Sequence, residues 1–127
     1  MEHNLNASRT QSFAAAVKNA LHGIADFFRL ERNGRIQGAV TIIVLLAGAV
    51  FHLSSAEWIF VLLCICAVLS AEMVNSALEH LCNLVKSDYH PLVKKIKDVS
   101  AGAVLIASII SVIIGLMIFI PKILAFI

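Results

Sequence analysis

The chain has 127 residues, enough for one domain, and 60% of them are hydrophobic while only 14% are charged. Its mean hydropathy of +0.91 is typical of membrane proteins, and its formal net charge of +2 is too small to indicate a nucleic-acid partner. The long apolar runs lack the two-residue alternation of a transmembrane barrel, so the spans must be helices. We therefore expect a single all-α integral membrane domain, residues 1–127.

The chain order predicts a surface helix followed by three membrane spans. Residues 1–8 are polar and expected to be flexible, and residues 9–32 have the apolar spacing of an amphipathic helix that lies on a membrane. A soluble helix packed on the ends of the spans fits the same pattern. After a bend at Asn33-Gly34, three apolar stretches are each long enough to cross about 30 Å of hydrocarbon. The predicted spans are residues 36–56, 57–85 and 91–120, with Pro121 ending the last.

The Lys and Arg residues predict the orientation. They precede the first span and fill the loop between the second and third spans, whereas the first loop has none. Because such residues stay on the cytoplasmic side, we expect the N-terminus and the second loop in the cytoplasm and the C-terminus outside. This topology gathers a set of polar residues on the cytoplasmic face: Glu31, Glu79, His90, Lys97 and Asp98.

A polar stripe runs along the second span. At about 100° per residue, Glu72, Asn75 and Glu79 fall within about 60° of one another on a helix that is otherwise apolar. A stripe that only joins helices by hydrogen bonds is the alternative, but neutral side chains suffice for that. Two carboxylates favour a functional site.

These residues match the needs of phosphoryl transfer. Glu31 and Glu79 are expected to hold a Mg²⁺ that takes its other ligands from phosphates, while Lys97 pairs with a polyphosphate. Glu72 lies deeper, where burial disfavours the charged carboxylate, and this suits a general base for the hydroxyl of a lipid. The sequence contains no Gly-rich Walker loop, so a kinase here uses another scaffold.

The ordered motifs resemble the prokaryotic diacylglycerol kinase family, small three-span lipid kinases that include the undecaprenol kinases. They are Glu72-x-x-Asn75-Ser76-Ala77-x-Glu79, Asp88-Tyr89-His90-Pro91-Leu92, and Lys97-Asp98-x-x-Ala101-Gly102-Ala103. The resemblance implies a homotrimer in the bacterial cytoplasmic (inner) membrane, with sites completed between subunits on the cytoplasmic face. It also implies transfer of the γ-phosphate of ATP to diacylglycerol or undecaprenol, with Mg²⁺ as cofactor.

The resemblance also implies residue roles. Glu72 matches the catalytic base, Glu31 and Glu79 match the Mg²⁺ carboxylates that hold ATP, and Asn75 lines the site. The remaining nucleotide contacts are expected at Asp88, Tyr89, His90, Lys97 and Asp98. Asn19 stands where a member of the family has a Tyr that contacts the nucleotide, and Gln37 stands where some have a further Glu. The His90-Pro91-Leu92 sequence is closer to that of the undecaprenol kinases, and diacylglycerol and undecaprenol both stay open as acceptors.

Other polar residues have simpler interpretations. Arg35 is first a topology signal and secondly a contact for a phosphate or headgroup, and His80 is assigned to packing or an interface. The three cysteines are expected to be lipid-buried or packed thiols rather than a disulfide framework. Two other functions remain as alternatives to the kinase. A transporter or proton-relay subunit would use the same intramembrane carboxylates, and a membrane scaffold would form stable oligomers without binding ATP.

Overall fold

The computed structural model describes residues 2–85 and 88–127, and it describes the side chains of residues 12–85 and 88–127. Its helices in chain order are α1 (Glu2–Leu30), α2 (Arg32–Val50), α3 (Ser55–Val85) and α4 (Pro91–Phe126). Helix α1 packs on α2, α2 packs on α3, and the most extensive packing joins α3 to α4. The expected all-α fold is confirmed, and α2, α3 and α4 are each long and apolar enough to cross a membrane.

The three long helices direct most of their apolar side chains outward. Ile43, Leu63, Ile106 and Met117 are all more than half exposed, whereas the buried apolar core is small. This core consists of Phe27, Leu53, Val61, Val68 and Cys82. An apolar exterior around helices whose backbone groups bond internally suits a hydrocarbon environment rather than water.

The break between α1 and α2 is a single residue. Glu31 has an extended backbone (φ −86°, ψ 131°), and the next helix begins at once with Arg32. The predicted bend at Asn33-Gly34 and the predicted boundaries at residues 32 and 36 are therefore wrong. Gly34 instead permits a close approach of the two helices, because a Cβ there would lie 1.9 Å from the carbonyl oxygen of Phe27.

Helix α1 begins earlier than predicted, at Glu2 rather than at residue 9. Met1 lies outside the described residues, and the expected flexibility of residues 1–8 stays a prediction. Further along α1, Phe13, Val17 and Leu21 are exposed. The location of this helix on a membrane surface also stays a prediction.

The turn between α2 and α3 shortens the predicted first span. Helix α2 ends at Val50 rather than near Ala56, and the turn is a Schellman motif with His52 in the left-handed region (φ 53°). The N–H of His52 donates to the carbonyl of Ala49 (3.3 Å), and that of Leu53 donates to the carbonyl of Gly48 (3.1 Å). These bonds satisfy carbonyls that the helix end leaves free.

A capping box begins α3 two residues before the predicted start. The Glu57 carboxylate accepts from the N–H of Ser54 (2.8 Å), and the Ser54 hydroxyl accepts from the N–H of Glu57 (3.2 Å). Ser55 is consequently the first residue of the helix. Its 31 residues rise about 46 Å, which is longer than the hydrocarbon core of a bilayer.

Helix α4 continues through Pro121 to Phe126, so the predicted end at Ile120 is wrong. A proline inside a helix removes one hydrogen bond and crowds the preceding turn. Tertiary contacts hold the following turn in place, because Lys122 Nζ lies 3.0 Å from the Glu57 carboxylate and Phe126 packs edge-on against Phe51 (5.9 Å between ring centroids).

The two ends of the helical bundle differ in chemistry. One end, called the Glu31 end below, contains the α1–α2 junction, the last turns of α3 and the first turns of α4. The opposite Trp58 end contains the α2–α3 turn and the last turns of α4. The predicted site residues Glu31, Glu79, His90, Lys97 and Asp98 all belong to the Glu31 end. Lys86, one of the charges used to predict the orientation, lies outside the described residues.

The close approach of α1 and α2 generates a testable prediction. Gly34→Ala places a methyl group against the backbone of Phe27, so the helices must separate, and we expect a loss of about 1–3 kcal/mol in unfolding free energy. Thermal unfolding in detergent micelles measures it. Gly23→Ala is the control, since a Cβ at Gly23 has no neighbour within 4 Å among the described residues. An equal melting temperature for the two variants would contradict the prediction.

Candidate active site

The polar stripe of α3 enters the interior of the bundle. The side chains of Glu72 and Asn75 are buried (6% and 5% exposed), and Glu79, two turns beyond Glu72, is exposed at the Glu31 end. The Oε2 atom of Glu72 is buried and has no hydrogen-bond partner among the described residues. A buried carboxylate oxygen without a partner is unfavourable in a folded protein. No contact among the described residues accounts for the burial of this Glu72 oxygen.

Asn75 joins α3 to α4. The Ser100 hydroxyl donates a short hydrogen bond to Asn75 Oδ1, and both side chains are buried. Because this bond occupies the oxygen of the amide, the two N–H donors of Asn75 remain available for another group. Asn75 is one helical turn from Glu72 along the same face of α3. The hydrogen bond therefore fixes the orientation of a polar side chain next to the unpartnered carboxylate.

The Glu31 side chain contacts α3 at His80. His80 Nε2 lies 2.5 Å from Glu31 Oε1, across 49 positions of sequence. Since Glu79 precedes His80 directly, this contact brings the α1–α2 junction to the turn of α3 that contains Glu79. The structure thus gathers Glu31 and Glu79, the two carboxylates predicted to hold Mg²⁺, at one end of the bundle.

The first turns of α4 contribute cations to the same end. Lys97 Nζ donates to Asn83 Oδ1 on α3 (2.7 Å), so the Lys97 ammonium is held against the last turns of α3. Lys94 pairs with Asp98 (2.5 Å), one turn apart on an exposed face. Asp98 lies inside the helix and pairs with Lys94 rather than capping the helix start.

His90 has a local role in the structure. It is the N-cap of α4, and its Nδ1 accepts from the N–H of Leu92 (3.1 Å), with Pro91 in the first turn as the sequence predicts. Asp88 and Tyr89, which precede it, are exposed. Their predicted contacts to a nucleotide stay predictions.

Two predicted site residues lie apart from the buried stripe. Asn19 is exposed in the middle of α1, eleven residues before Leu30 ends that helix. Arg35 Nη1 donates to the carbonyl of Arg29 (2.9 Å), so its described contact closes the α1–α2 junction.

Sequence reasoning missed the partners that orient the site. The sequence indicates packing or an interface for His80 and only close helix packing for Ser100, and it gives Asn83 no role, yet each contacts a predicted site residue. The available signal was their position. His80 follows Glu79 directly, and Asn83 is one turn beyond it, on the part of α3 that rises past the hydrocarbon core.

The donor set fits a metal ion only in partnership with other ligands. Among the described residues, no group of three or more His, Cys, Asp and Glu side chains lies close enough to hold a metal ion. Mg²⁺ characteristically uses one or two carboxylates and takes its remaining ligands from water and substrate phosphates. By their chemistry, Glu31 and Glu79 are ligands of this open type, in number too few for a closed structural metal site.

Two apolar grooves flank the polar stripe. A groove of about 690 Å³ lies between α3 and α4, with Asn75, Lys95 and Ser100 as its polar lining residues near the Glu31 end. A second groove of about 430 Å³ lies among α2, α3 and α4, and it includes Val68 and Leu69, one turn from Glu72. The first groove reaches the polar stripe at Asn75, whereas the second is lined by the apolar residues beside it.

Comparisons with known proteins match most of the length of the chain. The family model described as prokaryotic diacylglycerol kinase matches residues 18–119. The undecaprenol kinase of Bacillus subtilis is 38% identical over 122 residues, which cover 96% of this chain and 99% of that protein. A diacylglycerol kinase of Synechocystis is 36% identical over 111 residues, covering 87% of this chain and 63% of that protein. The diacylglycerol kinase of Escherichia coli K12 is 26% identical over 110 residues, covering 84% and 90%.

The fold and the matched relatives together define the class as a multi-pass membrane protein and a lipid kinase. The chain belongs to the prokaryotic diacylglycerol kinase family, because the family model covers most of its length. The resemblance found in the sequence motifs is thereby confirmed.

The buried hydrogen bond between α3 and α4 yields a second prediction. Ser100→Ala leaves Asn75 Oδ1 buried without a donor, and we expect a loss of about 1–3 kcal/mol in unfolding free energy. Ser111→Ala is the matched control on the same helix, since its hydroxyl makes only a long 3.5 Å contact with the carbonyl of Cys64. Denaturation in detergent with both variants measures the difference, and equal stabilities would contradict the role of Ser100.

Proposed function

We propose that the protein is a Mg²⁺-dependent kinase that transfers the γ-phosphoryl group of ATP to the hydroxyl of a lipid alcohol. The observation that carries this proposal is the buried Oε2 of Glu72, which lacks a hydrogen-bond partner among the described residues. An alcohol is the complement of such an oxygen, because its O–H donates a hydrogen bond and can then lose the proton. Glu72 accordingly acts as the general base.

In the proposed reaction, Glu72 Oε2 accepts the proton of the lipid hydroxyl as the hydroxyl oxygen attacks the γ-phosphorus. The bond between the γ-phosphorus and the β,γ-bridging oxygen breaks, and ADP leaves with the bond electrons. Asn75, oriented by Ser100, holds its N–H donors one turn from Glu72, where they bind the reacting oxygens. Fixed donors and a fixed base lower the barrier mainly by positioning the reactants.

The nucleotide binds at the Glu31 end in this proposal. Glu31 and Glu79 would hold the Mg²⁺, which when bound would supply positive charge for the transferring phosphates. Lys97 supplies a cation from α4, and Asp88, Tyr89, His90, Asp98 and Asn19 are the further nucleotide contacts that the family resemblance implies. Glu72 and Glu79 lie two turns apart, about 10 Å along the axis of α3, so their side chains reach the γ-phosphate from different levels of the helix.

The Glu31 end faces the cytoplasm in this proposal, in the inner membrane of a bacterium. Its support is the distribution of cations, since Arg29, Arg32, Arg35 and the lysines that begin α4 lie at this end, while Lys122 lies at the other. The homotrimer implied by the resemblance belongs to the proposal as well. The exposed apolar side chains of α2, α3 and α4 are compatible with contacts between copies or with lipid.

Undecaprenol is the acceptor that the comparisons favour. The undecaprenol kinase of B. subtilis matches nearly the whole chain at 38% identity, against 26% for the E. coli diacylglycerol kinase. We expect purified protein in micelles with Mg²⁺ and γ-labelled ATP to label undecaprenol, and to label diacylglycerol more slowly. Chelation of Mg²⁺ should abolish the product. If neither undecaprenol nor diacylglycerol becomes labelled, the proposal is overturned.

The role of Glu72 is tested by removing its basicity while keeping its shape. Glu72→Gln is expected to lower kcat by about 10²–10⁴-fold and to leave ATP binding intact, because a neutral amide cannot accept the proton. The control is Glu57→Gln at the Trp58 end, which removes a carboxylate from the same helix but should retain the wild-type rate. Turnover by Glu72→Gln within twofold of wild type would exclude Glu72 as the base.

A further inference from the structure

The contact between His80 and Glu31 has no part in the chemistry described so far. It joins α3 to the α1–α2 junction, two parts of the chain that are 49 positions apart. We propose that His80 is a positioning residue, which holds the Glu31 carboxylate in one orientation at the turn of α3 that contains Glu79, so that it can bind nucleotide-bound Mg²⁺. This inference rests on the proposed function, and it adds a residue to which neither the family motif nor the sequence pattern assigned a role in the site.

The backbone at Glu31 is fixed, but its side chain depends on His80. The N–H of Glu31 donates to the carbonyl of Phe27 (3.3 Å), and its carbonyl accepts from the N–H of Arg35 (3.1 Å). Although Glu31 is the N-cap of α2, its side chain makes no capping hydrogen bond. The described partner of the carboxylate is therefore on another helix, and it selects one rotamer of Glu31.

The geometry leaves Glu31 able to bind a cation. His80 Nε2–H donates to Oε1, so the second oxygen, Oε2, remains available as a ligand. Carboxylates that bind metal ions are commonly held in this way by a hydrogen bond from a neighbouring side chain, which orients the ligating oxygen. Glu79 directly precedes His80 in sequence. One turn of α3 therefore carries the Glu79 carboxylate and also orients the Glu31 carboxylate through His80.

A purely structural role for the His80–Glu31 pair would predict a lower melting temperature when His80 is removed. The His80 side chain is 69% exposed and that of Glu31 is 31% exposed, and exposed pairs contribute little to stability. Loss of His80 should consequently leave the melting temperature nearly unchanged. An effect on metal binding without an effect on stability separates positioning from simple packing.

A second contact supports the role of this part of α3. Asn83 lies one turn beyond His80 and accepts from Lys97 Nζ (2.7 Å), so it holds the predicted phosphate-binding cation from α4. The last turns of α3 therefore direct one side chain from the α1–α2 junction and another from α4. Both of these side chains belong to the predicted Mg²⁺–nucleotide site.

The test measures metal binding directly, without turnover. Mn²⁺ replaces Mg²⁺, and electron paramagnetic resonance follows its binding to full-length protein in micelles with a non-hydrolysable ATP analogue. We expect His80→Ala to weaken Mn²⁺ binding by about 10–100-fold. His80→Gln should keep most of the binding, because its amide N–H replaces Nε2–H at a similar reach. In kinetic assays, His80→Ala should raise the Mg²⁺ concentration for half-maximal rate, with kcat at saturating Mg²⁺ nearly unchanged.

A double-mutant cycle with Glu31→Gln identifies the route of the effect. If His80 acts through Glu31, His80→Ala should cause no further loss of Mn²⁺ binding in the Glu31→Gln background. Wild-type Mn²⁺ affinity in His80→Ala, equal losses in His80→Gln and His80→Ala, or additive losses in the double variant would each overturn the proposal while leaving the kinase function standing. Absence of Mn²⁺–nucleotide binding by the wild-type protein would instead overturn both.

Discussion

The burial of one ionisable side chain constrains the rest of this structure. Glu72 lies in an apolar bundle with one carboxylate oxygen unpartnered among the described residues, an arrangement that opposes folding unless other contacts offset it. The extensive packing of α3 against α4, with the buried hydrogen bond from Ser100 to Asn75 beside Glu72, provides that offset. The unpartnered oxygen that opposes stability is also the one that can accept a proton, so in the proposed mechanism the same feature serves as the base.

The two ends of the bundle divide the tasks of stability and chemistry. At the Trp58 end, the capping box of Ser54 and Glu57 begins α3, while the ion pair of Glu57 with Lys122 and the edge-on phenylalanine rings join the α2–α3 turn to the last helix. At the Glu31 end, the charged groups are joined by single hydrogen bonds between helices, such as that of His80 with Glu31. Contacts of the latter kind orient individual side chains and contribute little to stability, which suits residues that bind a ligand.

The sequence predicted the helices better than their boundaries. Long apolar runs identify the spans because hydrocarbon requires them, and helical periodicity placed Glu72 and Asn75 on one buried face. The ends depended on local hydrogen bonds and tertiary contacts, so the start at Ser55 and the continuation through Pro121 were missed. The partners of the site residues were hardest to predict, since Ser100 and His80 meet them across 25 and 49 positions of sequence. The spacing of residues along one helix does not indicate which residues of another helix they contact.

The proposed mechanism requires that Glu72 Oε2, which lacks a hydrogen-bond partner among the described residues, receives the hydroxyl of a lipid alcohol. Infrared difference spectroscopy on protein with ¹³C-labelled glutamate carboxyl groups tests it directly, by recording the carboxyl band as undecaprenol is added without nucleotide. We predict a band shift with undecaprenol, no shift with its methyl ether, which has no O–H to donate, and no shift in Glu72→Gln. An equal shift of the carboxyl band with the methyl ether, or a shift that persists in Glu72→Gln, would contradict this role of Glu72.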